Sequence, residues 1–229
     1  MAAKRREAPL VDIFDEVDEE LRAERAGKLL KRYGGLIVGL ALLTVAAVGA
    51  WQGWRWYQAK QDAAFALEYL TAMRLADSVA AGDAANAPAA TAALDRLSAT
   101  APVGYRTLAR LRDAALKADS GDLDGATVLW NAVADDGAAD PLLRDLANLS
   151  WAGHSLDHGD PALVEGRLLP LATASNPWHL LAAEQLALLD LRRGKVDQAK
   201  EALRSLAQDP SAPDGVRGRA SGLLARLGG

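Results

Sequence analysis

Cysteine is absent from the 229 residues, which removes disulfides, thiolate nucleophiles and thiolate zinc sites together. Aromatic residues are only 5% of the chain, and alanine and leucine supply most of its apolar half, with β-branched residues sparse. That balance favours helix over sheet, so an all-α fold is expected. A basic excess is missing too: 26 Lys and Arg stand against 30 Asp and Glu, leaving no clustered positive surface for nucleic acid. No phosphate-cradling glycine loop precedes a lysine, and no GxSxG elbow or zincin spacing occurs. An enzyme, a cofactor and a small-molecule substrate are therefore not expected.

Histidine is scarce, with three in the chain. His154 and His158 are four apart on an expected helix, near Asp157 and Asp160, so they could share a face toward a metal. No third ligand is evident, and solvated or capping histidines before Gly159 are the expectation. His179, after Pro177 and Trp178, is assigned no task.

What the chain does have is one long uncharged run. Residues 34–54 read GGLIVGLALLTVAAVGAWQGW, about 21 residues, which as helix span roughly 30 Å, the thickness of a bilayer's hydrocarbon core. Leu36, Ile37, Val38, Leu40, Leu42, Leu43, Val45 and Val48 together favour insertion by roughly 2 to 5 kcal/mol. Arg22, Arg25, Lys28, Lys31 and Arg32 precede the run against Glu24 alone, while Arg55 and Lys60 follow it beside Asp62. The positive-inside rule then leaves the N-terminus in the cytoplasm. Tyr33 at the entrance and Trp51, Trp54, Trp56 and Tyr57 at the exit suit the two headgroup layers. The competing reading is a signal peptide cut near Val48-Gly49-Ala50. Such peptides have short leading regions and apolar stretches of about 7 to 15 residues, whereas some 33 residues precede a run nearer 20 here. Gly35, Gly39, Ala46, Ala50 and Gly53 fall near one face and would let another helix approach, although small residues are common in such helices.

Residues 1–33 form the expected cytoplasmic segment. After Lys4, Arg5, Arg6 and Pro9, an acidic then basic stretch places Ile13, Val17 and Leu21 at i, i+4, i+8 with Phe14 beside them, predicting one amphipathic helix from near Val11. It either docks a cytoplasmic partner through those four residues or only sets topology.

Residues 58–229 are read as a helical repeat domain. Gly82, Gly121, Gly159 and Gly194 each separate two apolar helical stretches, and the last three are 38 and 35 apart. Units of roughly 34 residues mark tetratricopeptide-like helix pairs, which must stack because no single pair buries its apolar stripe. Gly121, Ala126 and Trp130 recur as Gly194, Ala199 and Leu203, and more weakly as Gly159, Val164 and Leu168. Glycine tolerates the left-handed turn, the small residue admits a neighbouring helix, and the bulky one fills the seam to the next pair. Phe65, Tyr69, Met73 and Ala76 start the array, PAATAALDRLSAT completes the first pair, and SGLLARLGG covers the last edge. The expected architecture is one transmembrane helix followed by a tetratricopeptide-like α-solenoid of about four pairs, the first and third degenerate.

The order of DIFDEVDEELRAERAGKLLKRYGG, the span, WQGWRWYQAKQ and GYRTLARLRDAAL resembles the YfgM-type ancillary translocon subunits of Gram-negative bacteria, over nearly the whole chain. The resemblance implies an inner-membrane protein with a periplasmic repeat domain that associates with the SecYEG translocon and a PpiD-type periplasmic chaperone. The function expected on these grounds is a tethered binding module assisting secreted chains. The alternative is an adaptor coupling a cytoplasmic regulator to envelope stress signalling.

Overall fold

The computed structural model describes residues 11–228, with side chains described from Lys31 onward apart from Ile37. All regular elements among them are helices, in the order α1 (Val11–Ala80), α2 (Ala87–Thr100), α3 (Val103–Asp119), α4 (Leu123–Ala134), α5 (Pro141–Ser155), α6 (Pro161–Leu168), α7 (His179–Arg192), α8 (Val196–Gln208) and α9 (Asp214–Arg226). A short 3₁₀ turn, Ala84–Asn86, precedes α2. The chain divides into two compact units, Met1–Gln61 and Asp62–Gly229.

In the first unit the backbone of α1 runs without a break through Gly34-Gly35 and past Trp54. Its apolar residues are uncovered by protein: Leu40, Leu42, Leu43 and Val45 are all more than 60% exposed. An apolar helical stretch left uncovered near the N-terminus fits either a membrane anchor or a signal sequence. This is the one helix among the described residues long and apolar enough to cross a membrane. Thr44 Oγ donates to the Leu40 carbonyl at 2.8 Å, so its hydroxyl needs no outside partner. The Arg32 guanidinium lies 5.7 Å from the Tyr33 ring centre, Arg55 5.0 Å from Trp51, and the Lys60 ammonium 4.2 Å from Trp56. These pairs mark both ends of the run with rings beside cations. Ile13, Phe14, Val17 and Leu21 fall where the backbone alone is described, and Lys4, Arg5, Arg6 and Pro9 lie outside the described residues.

The second unit is an array of helix pairs. Ala72 and Ala76 of α1 pack with Ala90, Leu94 and Leu97 of α2 and Ala109 and Leu116 of α3. Pairs α3/α4, α5/α6 and α7/α8 follow, and α9 closes the array alone. Asp122, Asp140 and Asp160 begin three of these helices by accepting from the amides of Gly125, Leu142 and Ala162 at 2.8–2.9 Å. Those bonds satisfy amides that a helix start otherwise leaves open. The third pair is irregular, because α6 stops after eight residues and turns occupy the way to α7.

Three seams hold the pairs. Ala126, Trp130 and Val133 meet Ala114 and Ala147; Val164 and Leu168 meet Ala152, Ala182 and Leu189; Leu203 meets Val216 and Ala220. Gly121 and Gly194 have φ of +88° and +75°, where an L side chain is strained. Gly159 is different, and the expectation of a left-handed turn there is corrected. Its backbone is not left-handed, and a Cβ would stand 2.8 Å from the Ser155 carbonyl oxygen. Glycine is needed at 159 for close approach rather than for φ.

Candidate functional site

Helices α7 and α9 carry matching rows on one side. Leu181, Gln185 and Leu188 recur at i, i+4, i+7 along α7, and Arg219, Gly222 with Leu223, and Arg226 recur at i, i+3/4, i+7 along α9. With Leu156 at the end of α5 and Glu184 between them, these residues line an open-sided cavity of about 680 Å³. Its surface is mainly apolar, and nothing stands within 4 Å of where a Gly222 Cβ would be. The α9 wall therefore has a notch at its centre.

Local chemistry fixes both walls. Before α7, Asn176 Oδ1 accepts from the Trp178 amide at 2.9 Å, and Trp178 Nε1 donates to the Leu142 carbonyl at 3.0 Å. Before α9, Asp209 Oδ1 accepts from the Ser211 amide and hydroxyl at 2.7 and 2.6 Å, and these bonds, the hydroxyl's first, hold the Asp209 carboxyl below its usual range. Arg217 donates to the Ala212 carbonyl at 2.9 Å and pairs with Asp214, pinning the first turn of α9.

The polar groups of the groove are few. Arg219 donates through Nε and Nη2 to the two oxygens of Glu184, both at 2.6 Å, and Glu184 is only 5% exposed. Each charge supports the other: the bond to Glu184 raises the Arg219 pKa above its ordinary value. Arg226 makes no ion pair among the described residues. The groove is thus an apolar trough crossed by one satisfied ion pair and rimmed by a spare cation. That arrangement suits binding by shape and apolar contact.

A second cleft, about 450 Å³, lies where the α6–α7 connection passes the start of α5. Its carboxylates are already engaged, Asp140 as the α5 cap and Asp145 accepting from Asn176 at 2.8 Å. It holds the fold together.

The residues singled out in the sequence are distributed differently from this groove. Gly121, Ala126, Trp130, Gly159, Val164, Leu168, Gly194, Ala199 and Leu203 belong to turns and seams, and the six non-glycines among them are buried. His154 and His158 do not share a helix: α5 ends at Ser155, and His158 falls in the turn beyond. His154 Nδ1 bonds the Ser150 carbonyl at 2.9 Å and its ring lies tilted against Trp130, centres 4.8 Å apart, while Asp160 caps α6. No cluster of three or more metal-ligating side chains occurs among the described residues. His179 Nδ1 lies 2.7 Å from the Asn176 carbonyl oxygen at the α7 start. The sequence reading missed Glu184, Arg219 and Arg226. The one available signal was spacing, since Glu184 and Arg219 are 35 positions apart, one repeat length.

A family described as a tetratricopeptide repeat-like domain matches residues 28–165. No curated protein and no solved structure matches the chain. The family match ends within α6, so the groove walls α7 and α9 lie beyond it.

Proposed function

Since this chain belongs to the tetratricopeptide repeat-like domain family, we propose that it is a membrane-anchored protein-binding module whose α7/α9 groove takes a segment of a partner protein. The observation that carries this is the open apolar trough between two parallel rows of side chains, with its buried carboxylate already neutralised. Stacked helix pairs expose such a surface without needing to move. The uncovered apolar stretch of α1 is the anchor, and it holds the groove at a membrane surface. Confinement there raises effective concentration toward the millimolar range, so individually weak contacts suffice.

The finer assignment rests on the basic flank of the span and on the resemblance to the YfgM-type subunits. On that assignment the N-terminus is cytoplasmic, the repeat domain is periplasmic at a bacterial inner membrane, and the partners are the SecYEG translocon, a PpiD-type chaperone and the chains they handle. A photo-crosslinking residue at Leu188 in the full-length protein tests it in intact membranes. Adducts with translocon or chaperone subunits, or with secreted chains, are the expected result. Adducts confined to cytoplasmic proteins would overturn the topology, and no protein adduct from the groove would overturn the binding role. A reporter fused after Gly229 and active only outside the cytoplasm checks the orientation independently.

A further inference from the structure

Resting on that role for the groove, we propose that its occupant is an amphipathic α-helix carrying carboxylates two turns apart. The first argument concerns backbone. Both walls are helices whose own amides and carbonyls are bonded internally, and Glu184 and Arg219 are committed to each other. An extended segment laid in this trough would lose water from its amides and carbonyls and gain few partners, at a cost of roughly 1–3 kcal/mol per unpaired group. A helix brings its backbone already bonded.

Spacing is the second argument. Leu181, Gln185 and Leu188 on one wall and Arg219, Leu223 and Arg226 on the other repeat at i, i+4, i+7, so they present holes that accept side chains recurring at the same interval. The Gly222 notch admits one bulky apolar side chain at the centre. Charge supplies the third. Arg219 and Arg226 are seven residues apart, about 10 Å along α9. Arg226 is unpaired among the described residues, and the Arg219 side chain remains 57% exposed although it binds Glu184. The single carboxylate lining the groove is Glu184, so these two guanidiniums leave one positive charge in excess. Glutamates at i and i+7 on a docked helix match both rim positions.

The probes are three fluorescein-labelled synthetic peptides, tested by anisotropy against the full chain in neutral phosphatidylcholine nanodiscs. The first is a lactam-bridged helix with leucines at i, i+3, i+4, i+7 and flanking glutamates seven apart. The second replaces those glutamates with lysine, and the third breaks the helix with two central prolines. The acidic helix is expected to bind at least about tenfold more tightly than either twin. Gly222→Leu, whose side chain enters open space, is expected to weaken it about tenfold, and Arg226→Glu to weaken it while strengthening the lysine twin. Equal binding of the acidic and lysine helices overturns the proposal. Equal binding of the proline peptide, still sensitive to Gly222→Leu, overturns the helical occupant but leaves the groove as the binding site. Failure of all three peptides, or binding indifferent to Gly222→Leu, removes both.

Discussion

Arg219 of α9 reaches back 35 positions to Glu184 of α7 and engages both carboxylate oxygens at 2.6 Å. The same stride recurs along the array: Arg112 bonds Asp77 at 2.7 Å, 35 positions back, and Trp178 and Arg192 bond the carbonyls of Leu142 and Leu156, each 36 positions back. These bonds join the first helix of one pair to the first helix of the next. They fix the relative rotation of successive helices, and at α7 and α9 that rotation forms the groove. Arg219→Ala strands a nearly buried carboxylate and is expected to destabilise by about 1–2 kcal/mol, the exposed half of the arginine limiting the loss. Replacing both Glu184 and Arg219 with leucine should recover most of this. A double variant no more stable than Arg219→Ala, by thermal unfolding in detergent, would count against the pair.

Asp113 in α3 is 1% exposed, and neither of its oxygens has a hydrogen-bond partner. Burial raises its carboxyl from 3.8 to about 6; Lys117 pulls the value down, and Asp95 and Asp122 push it up. The folded protein therefore holds this proton more tightly than the unfolded chain. No penalty exists below about pH 4; it grows between pH 4 and 6 and is complete at neutrality, amounting to at most about 3 kcal/mol. Asp113→Asn is expected to stabilise the protein at pH 7 and to make no difference near pH 4. Melting temperatures of both proteins across that range check this, and parallel pH curves would refute it.

Glycine positions separate by backbone state. Gly194→Ala, at φ +75°, should cost about 1 kcal/mol, whereas Gly166→Ala, inside α6 with open space at its Cβ, should add about 0.5–1 kcal/mol. Opposite shifts in unfolding midpoint are the expected readout.

Trp130 is 2% exposed and fills the seam between α4 and its neighbours α3 and α5. Trp130→Ala is expected to cost about 3–5 kcal/mol. It also removes the ring on which His154 rests at 4.8 Å, so the His154 imidazole resonances should move in the same variant. An unchanged melting curve would show that the seam collapses around the gap.

Leu42 and Leu43 are 66% and 67% exposed on the apolar stretch of α1. Introducing Arg at both adds roughly 5–7 kcal/mol to the cost of insertion, more than the stretch's apolar residues supply. The variant should leave the membrane on alkaline extraction while the parent stays. Co-retention of both would mean that lipid is not what holds this segment.

Much of the fold was legible because its signals are local. The uncharged run with rings and cations at its ends, the positive-φ glycines at 121 and 194, and the alanine and bulky positions of each pair all depend on neighbours within a turn or two. Where local signals were weak the outcome differed. Nothing in residues 154–158 announces that α5 stops at Ser155, so the expected helix carried both histidines and a shared face stayed open beside the expected solvated or capping role. Gly159 looked like its counterparts at 121 and 194, yet the contact that requires it is with Ser155 and not with its own φ.

By itself the sequence determined that the chain is helical, that one stretch is too apolar and too long for an ordinary surface helix, and that the rest must stack in pairs to cover its stripes. Only the tertiary structure decided that Leu188 and Leu223 share a trough, that Glu184 meets Arg219, and that Asp113 loses its water. Periodicity assigns a residue to a face of its own helix, whereas the neighbour it meets depends on how helices 35 residues apart are turned against each other. That angle is set by the combined packing of every seam between them.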